Sequence, residues 1–344
     1  MAGGVKPMKT LQTSCTPRRE ALVVLALAVC MGISGVLSLC LGAVGLTPGE
    51  LVSALKQGAD SSLSGRIFWF VRLPRTLAAL LTGAALAVSG VVIQTALHNP
   101  LAAPNIIGVN AGAGFAVALA AVCFPRSMGG TPWLSFLGAM GAVGLVLLVS
   151  RLTGASKITL VLGGVMISSL FNAAIDALLT FWPDALTGYA DFRVGSFRDI
   201  TMARVEGVAL PIALALAAVL LASSPLEILS LGDETAASLG LPVRATRMIL
   251  LLLAAVLAGA AVSLAGIIGF VGLIVPHFVR RLTGEKLLPL LLGSLFGGAA
   301  FVTACDTLAR TAFAPFELPV GIVLSFIGVP VFLWQLLRSR RHRG

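Results

Sequence analysis

Leu73-Pro-Arg-Thr-Leu-Ala-Ala-Leu-Leu-Thr-Gly-Ala-Ala-Leu-Ala-Val-Ser-Gly-Val-Val-Ile-Gln-Thr-Ala-Leu97 carries one charge, Arg75, along its whole length. An α-helix of about 20 apolar residues crosses the hydrocarbon of a bilayer, and this stretch exceeds that. Applied along the chain, the same measure predicts ten membrane helices, at 21–44, 73–97, 105–124, 133–151, 158–181, 204–223, 245–265, 268–282, 286–309 and 318–337. The eighth is short for a full span. The expected architecture is an all-α integral membrane bundle, residues 21–338, with a tail at 1–20 and a basic tail at 339–344.

Composition supports this reading. Of 344 residues, 58% are hydrophobic and 11% charged, and the mean hydropathy is +1.01. A soluble domain carries about 25% charged residues, so this chain cannot clothe a globule with polar groups. Its solvent is the lipid bilayer. The formal charge of +10 follows from orientation, because Lys and Arg concentrate in cytoplasmic loops. With the N-terminus inside and strict alternation, fifteen of the 24 Lys and Arg fall inside, among them Arg18, Arg19, Arg151, Arg244, Arg280, Arg281 and Arg338. Both termini are therefore expected in the cytoplasm, and nucleic acid is not an expected partner.

The first apolar run, 21–44, follows Arg18 and Arg19. It is too long for the apolar part of a signal peptide, and no A-x-A site follows, so it reads as a retained span. Cys15, Cys30, Cys40, Cys123 and Cys305 have no CxxC spacing and read as small packing residues. The histidines are scattered, and no metal site is expected. Glycines recur at spacings of three and four, as at Gly108/Gly112 and Gly293/Gly297. Lipid gives helices no hydrophobic reason to associate, so close backbone contact at small residues does that work. Gly83-Ala-Ala with Gly90 recurs as Gly259-Ala-Ala with Gly266 on a helix of opposite direction. That is a weak inverted repeat.

Three polar segments interrupt the pattern: 45–72 and 182–203 outside, and 224–244 inside. The last reads as two short amphipathic helices, with Gly232 and Gly240 punctuating the second.

Several motifs, in order, carry a resemblance to a known family. They are Arg72-Leu-Pro-Arg-Thr-Leu, His98-Asn-Pro-Leu-Ala-Ala-Pro-Asn-Ile-Ile-Gly, Gly232-Asp-Glu-Thr-Ala-Ala-Ser-Leu-Gly, Gly266-Ile-Ile-Gly-Phe-Val-Gly-Leu-Ile-Val-Pro-His and Glu317-Leu-Pro-Val-Gly. The sequence closely resembles the permeases of iron-siderophore, haem and vitamin B12 ABC importers over nearly all of its length after residue 20. The resemblance implies a type II ABC importer permease working with a second, identical permease, two cytoplasmic ATPase subunits and an extracytoplasmic binding protein. It implies that ATP-Mg is held by the ATPase and that this chain binds no cofactor.

Site residues follow from the matched motifs. Arg72, Arg75 and Arg310 are expected to dock the binding protein, where a charged, rigid fork suits a carboxylate; an ion pair of Arg310 with Asp306, four residues earlier, competes with that reading. Asn99 and Leu101, with Ser156 and Lys157, are expected at the inner gate, although Lys157 departs from the small polar residues the family carries there. Asp233, Glu234, Ala236, Ala237, Leu239 and Gly240 resemble the coupling segment that seats in the ATPase. Asn172 and Asp176 share one face of the fifth helix and are expected to line the pathway, since a carboxylate in hydrocarbon is expensive.

The sequence holds no GxxxxGK[ST] phosphate loop, so energy comes from a partner or an ion gradient. The expected function is import of a ferric siderophore, or haem or cobalamin, by alternating access. A self-powered, ion-coupled carrier is the alternative, disfavoured because such a carrier buries several ionisable groups in its helices, and here only Asp176 and, closer to a helix end, Asp306 qualify. An integral-membrane enzyme is disfavoured because no catalytic constellation sits at membrane depth.

Overall fold

A computed structural model describes residues 16–42, 45–59, 62–124, 131–154 and 157–341. Among these residues there is no strand, and fifteen α-helices follow one another: α1 (Pro17–Cys40), α2 (Pro48–Gln57), α3 (Leu63–Ile67), α4 (Leu73–Leu97), α5 (Val109–Cys123), α6 (Thr131–Leu152), α7 (Lys157–Phe181), α8 (Ala185–Val194), α9 (Met202–Leu221), α10 (Ser223–Ser230), α11 (Asp233–Ser238), α12 (Val243–Ala265), α13 (Val271–Thr283), α14 (Leu287–Thr311) and α15 (Val320–Arg341).

Each of the ten expected spans falls on one of these helices. Seven runs are long and apolar enough to cross a membrane, among them Leu63–Leu97, which joins α3 to α4 without a break. The apolar parts of α5 and α15 are shorter. The eighth, α13, has 13 residues. At 1.5 Å per residue it reaches about 20 Å, against about 30 Å of hydrocarbon, so it does not span alone.

Two expected boundaries are corrected. The second helix begins ten residues earlier than its apolar run, because a π-helical turn, Phe68–Arg72, connects α3 to α4. Pro74 has no N–H to donate, and the turn widens so that Leu73 N–H reaches Phe68 O. The third helix begins at Val109 rather than 105. Residues Pro104–Ile107 form a 3-10 turn, and Gly108 adopts φ +86°, a left-handed conformation that glycine takes without steric cost.

Helix α4 is the centre of the bundle. Its most apolar window is 83% buried, and that of α12 is 72% buried, whereas α1 and α7 reach only 17% and 22%. The first two are therefore core and the latter two rim. Packing partners repeat in the two halves of the chain: α5 pairs with α6 as α13 pairs with α14, and α4 packs on α14 and α13 as α12 packs on α6 and α5. This is the inverted repeat, carried by helix pairing far more clearly than by residues.

Glycine sets the spacing. Gly83 lies against the backbone of Gly298, Gly90 against Gly272, and Gly112 against Gly138, so that a Cβ at any of the six would meet backbone atoms. Two helices can approach this closely only where neither carries a side chain at the crossing. Cys305 is buried, while Cys30 and Cys123 lie exposed on the rim; Cys15 lies outside the described residues.

Candidate functional site

Charged side chains collect at the two ends of the bundle. One end, the foot, brings together the end of α4, the start of α7, α10, α11 and the start of α12. Helix α11 begins after Gly232, at φ +108°, and is closed by Gly240, at φ +83°; both are open positions that a side chain would strain. Ala236 is fully buried and seats the helix on the bundle, while Glu234, Ala237, Leu239 and Gly240 face outward. Leu231 and Leu239, flanking it, are each 60% exposed. The preceding helix, α10, fixes this foot by burying Leu226 and Leu229 completely.

Asp233 joins the foot to its neighbours. Its Oδ1 accepts from Lys157 Nζ at 2.9 Å and from Arg247 Nη2 at 2.6 Å. Arg247, 4% exposed, also donates from Nε to Ala96 O at 3.0 Å, in the last turn of α4, where carbonyls lack helical partners. Burial opposes the ionisation of Asp233, and the two cationic hydrogen bonds outweigh it and hold the carboxyl below its usual range. Burial, then the charge of Lys157, holds the adjacent His98 imidazole below its own. The turn after α4 is fixed locally. Asn99 Oδ1 accepts from Leu101 N–H at 3.0 Å, His98 takes φ +51°, and Leu101 stands half-exposed. Ser156 lies outside the described residues.

The opposite end, the crown, holds a buried charge group. Arg75 Nε donates to both oxygens of Asp306, at 3.2 and 3.0 Å, and Nη2 adds a bond of 2.9 Å to Oδ1. Its remaining edge, Nη1, meets Glu317 Oε2 at 2.8 Å. Burial opposes the ionisation of Glu317, and the Arg75 hydrogen bond prevails, holding that carboxyl low. Arg310 Nη2 donates to Ser38 O at 2.5 Å and to Ser38 Oγ at 2.7 Å, and its Nε lies 3.7 Å from Asp306. Arg72 donates to Leu41 O. All three arginines are less than 10% exposed and Asp306 is fully buried. Three guanidinium groups stand with two carboxylates, so this buried cluster is itself net positive.

Asn172 and Asp176 are exposed on α7, on the side turned away from the bundle. Near the crown, an open groove of about 700 Å³ runs between α15 and the end of α8, lined by Val194, Ile267, Ile322, Phe326 and Val329 with Arg193 and Ser325 among its polar members.

Known proteins resemble this chain in sequence and in fold. A model of the FecCD transport family matches residues 30–338. The chain belongs to that family. FecCD relatives include the Fe(3+)-citrate import system permease protein YfmE of Bacillus subtilis, 34% identical and aligned over 96% of this chain and 99% of that one. The hemin transport system permease protein HmuU of Yersinia pestis is 38% identical over 80% of this chain and 84% of its own length. The vitamin B12 import system permease protein BtuC of Citrobacter koseri is 36% identical over 94% and 96%. Among solved structures, an inward-facing chain described as of the metal-chelate ABC transporter type superposes with a TM-score of 0.81 at 32% identity, covering 92% of this chain and 99% of that one. This FecCD chain is thus a multi-pass membrane protein of the ABC importer permease type.

Two partners in these sites escaped the sequence. Asp306 was visible as an acid in an apolar helix and as a neighbour of Arg310, but its main partner, Arg75, is 231 residues away. Arg247 stands near the start of the predicted helix 245–265, where no local pattern names its partners, and it is buried. Ala236, expected among the contact residues of the coupling segment, is instead fully buried against the bundle.

Proposed function

We propose that this chain is the membrane-spanning subunit of an ATP-driven importer that moves a metal chelate inward by alternating access. A ferric siderophore is the first choice of cargo and haem or cobalamin the next, in line with the cargoes named for its relatives. The observation that carries the reading is the foot. A six-residue helix seated by one buried alanine, with leucines exposed at both ends, offers a small projecting surface to a cytoplasmic ATPase. Asp233 and Glu234 on that helix disfavour a resting place on anionic lipid. Residues Glu234, Ala237, Leu239 and Gly240 make the contact, Asp233 belongs to it from the side, and Ala236 supports it.

A second, identical permease covers the exposed face of α7, where Asn172 and Asp176 line the pathway between the copies. The gate at the foot is formed by Asn99 and Leu101 with the start of α7, Ser156 and Lys157. The arginine cluster at the crown receives an acidic binding protein, with Arg72, Arg75 and Arg310 supplying the local positive field that steers it. The groove beside α15 is largely apolar and grips a chelate weakly, which leaves selectivity to the binding protein. Both termini lie in the cytoplasm of a bacterial inner membrane.

The test joins binding to energetics. Gly240→Trp or deletion of 232–240 is expected to abolish recovery of the ATPase in a pull-down, while the permease itself stays monodisperse in detergent. Uptake into vesicles is expected with ATP and no ion gradient. Transport driven by a gradient without ATP, or an undiminished pull-down, would reject the reading.

A further inference from the structure

The foot and the inner turns form one ionic unit. Asp233 Oδ1 is shared by Lys157, the first residue of α7, and by Arg247 of α12. Arg247 passes the connection to α4 through Ala96 O, one turn before the Asn99 corner. A single carboxylate oxygen on α11 therefore reaches the ends of three bundle helices. Each of those ends borders a segment placed at the gate or the foot.

The two arms of this unit differ. Arg247 has a side chain 5% exposed, and Lys157 one 30% exposed, with Asp233 at 40%. Arg247 is thus a dry, doubly bonded anchor, with one bond to carboxylate and one to the negative end of a helix. Lys157 is a wet, single-point contact on a flexible stem, which water competes for and which breaks and re-forms readily. The charged groups facing Asp233 are Lys157, Arg247 and the neutral-leaning His98. Nothing else charged is drawn to this oxygen among the described residues, so the pair is set by these few groups.

We infer that Asp233 is a positioning residue that transmits displacement of the foot to the start of α7 through Lys157, with Arg247 as the fixed pivot. The inference rests on the proposal that 232–240 seats in an ATPase, and adds how the motion leaves that seat. When α11 is drawn toward its partner, Arg247 holds the carboxylate near α12 and α4. The Lys157 arm then carries the N-terminus of α7 with it as the carboxylate turns about that pivot. The start of α7 follows the foot, while the end of α4, tied through the anchor, stays. The gate would therefore open asymmetrically, on the α7 side. Lysine is the residue that makes this possible: a small polar side chain at 157 cannot reach across to α11.

The experiment reads cargo moved per ATP hydrolysed, in proteoliposomes containing the permease with its co-purified ATPase and binding protein. Ferric citrate, haemin and cyanocobalamin are each offered. Lys157→Gln is expected to lower that ratio about tenfold with an unchanged melting temperature, and Lys157→Arg to stay within about twofold of wild type. Asp233→Asn lowers it similarly, and the double variant Lys157→Gln/Asp233→Asn falls no further than the worse single one, since both break the same bond. A wild-type ratio in Lys157→Gln, or losses that multiply in the double variant, overturns the inference. Should Asp233→Asn fail to assemble because Arg247 is left unpaired, the contrast between Lys157→Gln and Lys157→Arg decides alone. Failure of the ATPase to co-purify with the wild-type permease would instead remove the proposed function itself.

Discussion

Asp306→Ala is expected to cost the permease most of its folded stability. The carboxylate has no exposure, takes three hydrogen-bond contacts from Arg75, and lies 3.7 Å from Arg310 Nε. Without it, three buried arginines face one carboxylate, Glu317, whose side chain is 27% exposed. Removing one partner of a buried ion pair costs about 3–5 kcal/mol, because the remaining charge keeps its desolvation penalty and loses its compensation. Net stabilities of folded proteins are only about 5–15 kcal/mol. The measurable result is a fall in monodisperse yield in detergent and a drop in melting temperature of roughly 10 °C. Asp306→Asn keeps the shape and removes the charge, so it should be nearly as damaging. A melting temperature at the wild-type value in Asp306→Asn would show that charge pairing does not hold the crown together. The same argument explains why Arg75 has a structural duty whatever it contributes to docking: two of its nitrogens are committed to Asp306, and only the Nη1 edge meets a partly exposed group.

The second large effect is expected from Gly90→Val. A Cβ at this position would be driven into the Gly272 carbonyl, and the nearest atoms are all backbone. No rotamer change can relieve that overlap, so α13 would have to move away from α4. Overpacking a core ordinarily costs about 1–3 kcal/mol when side chains can shift, and here they are not the obstacle. Gly90→Val should therefore yield little or no monodisperse protein, and Gly90→Ala should already melt measurably lower. Gly141→Ala and Gly144→Ala serve as controls: both glycines are on the exposed side of α6 with open space around the position of a Cβ. They should match wild type or slightly exceed it, since alanine is the better helix former. Equal tolerance at Gly90 and Gly141 would mean that the α4–α13 crossing is wider than described.

These two cases separate what could be read locally from what could not. Hydropathy is a property of short windows, and ten windows were enough to place ten helices. The short length of α13 was visible in the same way. Motif order then pointed to the family, and the foot at 232–240 was legible because glycines at both ends stop a helix within a few residues. The boundaries that shifted did so for reasons only slightly beyond the window: Pro74 forced a wider turn, and Gly108 set the start of α5.

By itself, then, the order of residues determined that this chain dissolves in lipid as a helical bundle, and where a short helix bounded by glycines stands at the foot. Apolar length, glycine and proline positions and the bias of basic residues are all local signals, and the membrane makes them unusually strong by forbidding unsatisfied backbone inside it. Only the tertiary structure decided which charges leave water and whom they meet. Arg75 with Asp306, Arg247 with Ala96, and Gly90 with Gly272 are contacts between segments far apart in the chain. No local pattern specifies such pairs, because a charge is paired by whatever helix the packing brings beside it.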